Sequence, residues 1–266
     1  ISAFDIVMPN GIPRKGEALN NLSVHWFGRT RNLFPNHFVE RVDNRTMKVL
    51  KAERIDVEWV ARGHLYGSAW RAYKEGRRIL SGVRLPNGLQ LAEELPETVL
   101  TPTSKAESGH DLEITKGQAI GEKLVTAEEW RALEEATLKL FEFYKEEAAS
   151  RGIIIPDFKL EYGRRNRDLI QIDEPPTHDS ARFWAKKYYR VGAQQEGHAL
   201  DKEFLREYLR RVGFTGEGKP PILPPPVVEE ISKRCVGAYE VLTGKAEIED
   251  FNLRTVDQLL AEMSGI

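Results

Sequence analysis

The stretch DFKLEYG, residues 157–163, alternates ionisable with large apolar side chains: Asp157, Lys159 and Glu161 on one set of positions, Phe158, Leu160 and Tyr162 on the other. A β-strand turns successive side chains to opposite sides, so this period of two predicts a strand with one charged and one apolar face. The polar turn RRNR and a second strand-like run, DLIQID, follow, and together they predict a hairpin. This part of the chain is thereby committed to a sheet with unlike faces. What needs a carboxylate, an ammonium and a second carboxylate in a row?

ISAFDIVM reads as a strand, PNGIPRKG as a loop, and EALNNLSVHWFGRTRNLF as a helix by the spacing of its apolar positions. HFVERV and RIDVEWVARGHL read as strands, the second running into YGSAW as a glycine-containing turn. Residues 93–118 are irregular, polar and rich in Thr, Ser and Pro, which predicts a long functional loop. A helix is expected over 126–151. Thr126 and Glu129 form a capping box, Trp130, Leu133, Thr137, Leu140 and Tyr144 track one face, and Gly152 stops it. Further helices are expected over 180–190, 201–212 and 227–243, with GKPPILPPP as an extended polyproline-like strap. Strands dominate the first part and helices the last, so the fold class is α+β.

The 266 residues suit one large domain or two smaller ones. Lys plus Arg total 39 against 41 Asp plus Glu, which gives no overall nucleic-acid footprint. The one basic stretch, over 28–54, is interrupted by Glu40, Asp43 and Glu53 and reads as solvated surface. Cys235 is the only cysteine, which excludes a disulfide framework and a thiolate metal cluster and leads us to expect a reducing, cytoplasmic setting. Its place on the apolar stripe of the 227–243 helix predicts a buried structural role. No apolar run is long enough to span a bilayer and no signal-peptide pattern is present, so no membrane partner is expected.

Paired strands carrying Glu161 and Asp173 on one face would bring two carboxylates together. Such a pair repels unless a cation lies between, and Mg²⁺ takes one or two carboxylates plus substrate phosphates. Lys159 would offer phosphate a point charge. The same spacing also describes a half-exposed strand with a solvated charged face, and spacing alone favours this second reading. Arg62 precedes GHLYGSAW, where Gly63 and Gly67 allow close backbone approach and Ser68 offers a hydroxyl. Arg182 lies in DSARFW, and Lys202 and Arg206 share a helix face at i and i+4. Each suits capture of a carboxylate or phosphate, and each is also an ordinary surface ion-pair residue. No histidine has metal-ligand spacing, and the phosphate loops G-x-x-x-x-G-K and G-x-G-x-x-G are absent from the sequence. The residues by themselves lead as far as a Mg²⁺–phosphate enzyme with an anionic co-substrate.

Taken together, ISAFD, IPRKG, VARGHLYGSAW, TPTSKAESGHD, DFKLEYG, DEPPTHDSARFW, LDKEFLREYL and GKPPILPPPVVEEISKRCVGAYEVLTG resemble the phosphoribosylaminoimidazole-succinocarboxamide synthase (SAICAR synthetase) family. They fall in the family's order and cover nearly the whole chain, and the strap and C-terminal helices resemble its longer single-chain form. The resemblance implies a small, mainly antiparallel N-terminal domain (residues 1–57 here), a larger α+β domain (58–266) and an ATP cleft between them. It implies that ATP, L-aspartate and the carboxylated aminoimidazole ribonucleotide give the succinocarboxamide, ADP and phosphate through an acyl phosphate. Glu161 and Asp173 would hold Mg²⁺ on the ATP phosphates, with Lys159 along the same side and Asp157 orienting substrate or a neighbouring Arg. Arg62, Ser68 and Arg182 would hold the ribonucleotide, with Lys202 and Arg206 near its phosphate and Asp5 and Lys15 lining the same cleft. Lys105, Glu107 and Asp111 are assigned to the aspartate and metal region. Adenine would lie along Arg54–Glu58 through main-chain groups, with Ile55 and Val57 as contacts. A monomer is expected.

The family begins with a strand–turn–strand carrying a GK-x-R/K type motif over the ATP phosphates, and this sequence starts after it, at Ile1. Either residues before Ile1 exist outside this sequence, or the molecule lacks them and binds and turns over ATP poorly. In the second case a non-catalytic nucleotide-binding remnant is the alternative reading.

Overall fold

The computed structural model describes residues 1–4, 6–105 and 112–265. Its centre is a six-stranded antiparallel sheet. The long strand Glu53–His64 pairs with the hairpin strand Asp157–Arg165, which pairs in turn with Asp168–Ile172. Glu94–Leu100 and Thr103–Ser104 share the other edge of the long strand, and Leu112–Glu113 adds outside the latter. The hairpin at 157–173 is therefore present, with Asn166 at φ +59° in its turn. Its register sets Asp157 opposite Arg62, Lys159 opposite Val60 and Glu161 opposite Glu58. Directly opposed residues share a face, so two ionisable pairs, with Lys159 between them, line one side of the sheet.

The other side is apolar. Ile55, Val57, Trp59 and Ala61 alternate into it from the long strand, and Phe158, Leu160 and Tyr162 from the hairpin. Helix Ala127–Ala149 covers them with Trp130, Leu133, Leu140, Phe141 and Tyr144. It begins with the expected capping box: Glu129 N–H donates to Thr126 Oγ1 at 3.1 Å, and Thr126 N–H to Glu129 Oε2 at 2.7 Å. The buried Tyr162 and Thr137 hydroxyls bond each other at 2.8 Å, so the helix face leaves neither unsatisfied. Each large side chain buried here contributes about 1.5–3 kcal/mol. Leu160→Ala would cost roughly 2–5 kcal/mol. A second core joins helices Lys15–Thr30, Glu203–Arg211, Pro225–Leu242 and Val256–Ser264 around Phe204, Leu209, Val227 and Cys235, and Cys235 is buried as expected.

Three expectations change. YGSAW opens helix Gly67–Lys74 rather than ending in a turn. Gly67 stands at φ +58°, and a Cβ there would lie 2.5 Å from Arg182 Nη2, so both conformation and close approach demand glycine. The described residues of the 93–118 stretch are largely regular: they hold three of the sheet strands and the start of the short helix Lys116–Gly121, capped by Thr115 and Gln118, and residues 106–111 lie outside the described residues. Residues 180–190 form no α-helix. Ser180 O accepts from Lys159 N–H, Arg182 N–H donates to Asp157 O, and Trp184–Ala185 pairs with Ile153–Ile154, so the sheet takes the groups a helix would need. The boundary expected at 57/58 falls within the long strand Glu53–His64. No helix among the described residues is long and apolar enough to cross a membrane.

Candidate functional site

The charged face of the sheet carries a crowded carboxylate group. Glu58 and Glu161 oppose each other across paired strands and are 8% and 3% exposed, which a sheet tolerates only with cations nearby. Lys159 Nζ lies 2.9 Å from Glu58 Oε1 and 2.6 Å from Glu161 Oε1, and Lys105 Nζ donates to both Glu161 oxygens at 2.7 and 2.8 Å. Burial alone would raise the Glu161 carboxyl, but hydrogen bonds and charge from Lys105 and Lys159 hold it at about 2. The register sets Ile172, not Asp173, opposite Glu161. Asp173 lies just past the strand at φ +60°, and this left-handed turn brings its carboxyl to Glu161. Partial burial and the Glu161 charge push Asp173 above the ordinary carboxylate range. The solvated-face reading is thereby set aside, because the alternating carboxylates are buried and paired.

The fit to a metal follows from that donor set. Among the described residues, no three His, Cys, Asp or Glu side chains converge to hold an ion. Two adjacent carboxylates suit Mg²⁺, which fills its remaining positions with phosphate oxygens and water.

Further along the same face, Asp157 gathers two guanidinium groups. Arg182 Nη1 donates to its two oxygens at 2.8 and 2.7 Å, and Arg62 Nη1 approaches at 3.4 Å. Arg62 also donates to Thr101 Oγ1 at 2.8 Å and Ser68 Oγ at 3.1 Å. Arg182 reaches on to Glu203 Oε1 at 3.4 Å, and Glu203 is bridged to Arg206. Arg62, Ser68 and Arg182 thus meet despite their separation in sequence, with Asp157 as the hub that orients them.

The loop from Asp173 to Arg182 closes the third side. Asp179 binds Lys15, the first residue of its helix, and burial with Arg206 nearby lowers the Lys202 ammonium. Burial pushes Glu174 up to about 7 even though Thr177 Oγ1 donates to it at 2.5 Å. Asp201 accepts from Phe183 N–H and Glu203 N–H, each at 2.7 Å, and so ties the segment after Arg182 to the helix that carries Arg206. Burial and the Glu203 charge push Asp201 to about 7.

Lys15, Arg62, Ser68, Lys105, Asp157, Lys159, Glu161, Asp173, Arg182, Lys202 and Arg206 therefore lie along one connected array of charge. Asp5, Glu107 and Asp111 lie outside the described residues. Ile55 and Val57 point into the core, away from the array, which leaves only their main chain for a nucleotide. Sequence reasoning missed Glu58, Asp179 and Glu203. Glu58 was detectable, since Arg62, Glu58, Asp56 and Arg54 alternate with Ile55, Val57, Trp59 and Ala61. A cavity of about 680 Å³ lies elsewhere, lined mainly by apolar groups such as Leu223, Val228, Val236 and Phe251. The array is the better candidate because it brings adjacent buried carboxylates together with several cations, a set suited to metal and phosphate.

The sequence matches the SAICAR synthetase family model over residues 1–221. It is 42% identical over 255 residues to the phosphoribosylaminoimidazole-succinocarboxamide synthase of Bacteroides fragilis, covering 94% of this chain and 81% of that one. Identity to the enzyme of the same name from Thermodesulfovibrio yellowstonii is 36% over 258 residues, covering 91% and 87%. Among solved structures, SAICAR synthase from Saccharomyces cerevisiae, complexed with SAICAR, superposes with a TM-score of 0.82 at 32% identity, covering 93% of this chain and 87% of that one. SAICAR synthetase from Pyrococcus horikoshii gives 0.68 at 26% identity, covering 92% and 89%.

Proposed function

The chain belongs to the SAICAR synthetase family, and from that premise we propose that it joins L-aspartate to the carboxylate of 5-amino-1-(5-phospho-D-ribosyl)imidazole-4-carboxylate, with cleavage of ATP. It is an ATP-dependent carboxylate–amine ligase of purine biosynthesis, and its products are SAICAR, ADP and phosphate. One observation carries the residue assignment: the Asp157 hub with Arg62 and Arg182 adjoins the Glu58–Glu161–Asp173 group on a single sheet face. Anion-holding and cation-holding groups stand side by side, as phosphoryl transfer to a carboxylate requires.

The substrate carboxylate oxygen attacks the γ-phosphorus and ADP leaves; the aspartate amine then attacks the acyl carbon and phosphate leaves. Neither step needs a protein nucleophile, so positioning and charge neutralisation do the catalysis. Bound Mg²⁺ supplies neutralisation of phosphate charge, and Glu161 and Asp173 are the residues to hold it. Lys159 meets the transferring phosphoryl group, and Lys105 serves the aspartate and metal side with Asp111. Arg62, Ser68 and Arg182 grip the ribonucleotide, held in place by Asp157. Lys202 and Arg206 take its phosphate, and Lys15 lines the cleft. Adenine lies along the main chain near Ile55 and Val57. A monomer is the proposed active unit, and the cytoplasm its proposed location.

The test is ADP release from the full-length protein with aspartate, ribonucleotide or ATP omitted in turn. ADP formation should require the ribonucleotide. Equal release without it would mark a plain ATPase and defeat the reading.

A further inference from the structure

Two ammonium groups already occupy the carboxylates that the metal would need. Glu161 receives Lys105 on both oxygens and Lys159 on one, at 2.6–2.8 Å. Lys159 also reaches Glu58 at 2.9 Å and lies 3.8 Å from Asp173 Oδ2. The strand register holds Glu58 and Glu161 in opposition, so their repulsion is built into the sheet and some cation has to lie between them. The lysines are the movable partners: their side chains are 30% and 28% exposed on flexible stems, whereas the Glu161 side chain is 3% exposed.

We propose that Lys105 and Lys159 are resident counter-cations of this carboxylate group, so that a divalent ion enters only together with a polyphosphate. The inference rests on the reading of Glu161 and Asp173 as the metal-holding pair. A divalent ion arriving alone must sit beside two ammonium groups that contact the same oxygens, and like charges a few ångströms apart in a half-buried site repel strongly. A polyphosphate changes the exchange. Each ammonium trades a carboxylate oxygen for a phosphate oxygen, and the vacated carboxylates accept the metal that the phosphates bring. The free protein keeps its carboxylates neutralised and in register while refusing bare metal.

The experiment is calorimetric titration with Mg²⁺ alone, then with Mg²⁺ plus inorganic tripolyphosphate, on the wild type, Lys105→Met and Lys159→Met. Methionine keeps the reach of the stem and removes the charge. The wild type should bind Mg²⁺ alone weakly, and each variant should bind it about tenfold more tightly, the like-charge repulsion being relieved. Tripolyphosphate should strengthen Mg²⁺ binding in the wild type and have less effect in the variants. Wild-type binding of Mg²⁺ alone as tight as in both variants would overturn the proposal. Should Lys159→Met fail to fold, Lys105→Met carries the test by itself. Adding Glu161→Gln to either variant should abolish the gained affinity, and its survival would overturn the metal-holding assignment. No step of these titrations depends on turnover, so a failure of the ligase reading would show separately, in the ADP assay.

Discussion

Two groups of buried charge in this protein are built on opposite plans. Under the C-terminal helices, fully buried Glu230 accepts from Arg254 N–H and Nε, both at 3.1 Å, and from Lys233 at 3.3 Å. Arg234, 1% exposed, donates to the main-chain oxygens of Gly197 at 3.0 Å, Arg254 at 2.6 Å and Ala199, and lies over the Phe204 ring. Opposite charges and carbonyl oxygens close that network. On the sheet face, like stands against like: Glu161 against Glu58 and Asp173, and Lys202 beside Arg206. A closed network has little to offer a ligand and serves stability. A crowded one gains when a ligand neutralises or separates its members, which is what a binding site requires.

The largest effect should come from opening the closed network. Glu230→Ala leaves Arg234 buried without its carboxylate, and we expect a loss of roughly 3–5 kcal/mol in denaturant unfolding. Substrate affinities of the molecules that remain folded should be unchanged. A stability loss below about 1 kcal/mol would erase the distinction between the two groups.

Glu161→Gln should do the reverse to function, lowering the rate of Mg²⁺-dependent ligation by about a hundredfold or more, as removal of transition-state charge stabilisation does elsewhere. Full Mg²⁺-dependent activity in this variant would remove Glu161 from the site. Arg182→Ala should weaken ribonucleotide binding by about tenfold to a hundredfold, the cost of one charge-assisted contact to an anion. Unchanged binding in a folded variant would show that the Asp157 hub serves structure after all.

The smallest effect sharpens the comparison through pH. Asp201 has a raised carboxyl, at about 7, because burial and Glu203 disfavour its charge. Its contribution to stability is therefore full below the ordinary Asp range and is lost as pH rises through about 7. Glu161, held at about 2, contributes in the opposite sense, present above the ordinary Glu range and lost as pH falls through about 2. Asp201→Asn should flatten the decline of stability between about pH 4 and pH 7, a slope of at most about 1.4 kcal/mol per pH unit for one group. An unaltered slope would place the titration on another residue, with Glu174 the next to test.

What could be read in advance was local. The capping box of Thr126 and Glu129, the face running from Trp130 to Tyr144 and the 157–173 hairpin each depend on neighbours a few positions apart, and each is in the structure as expected. The 180–190 segment also had a helical pattern, yet its main-chain groups went to Asp157, Lys159 and Asp201. Spacing cannot register that competition, because the rival partners arrive only when the sheet forms. The charged half of the hairpin marked Asp157, Lys159 and Glu161 without saying whether water or other charges would meet them. Tertiary structure decided it by laying Glu58 and Arg62 opposite, bringing Arg182 back over Asp157, and carrying Lys15 to Asp179 from the far end of the chain. The period of two belongs to a single strand and is written in its sequence. The repulsions and pairings that make a binding face belong to distant segments, and they exist only once the fold has spent chain entropy to bring those segments together.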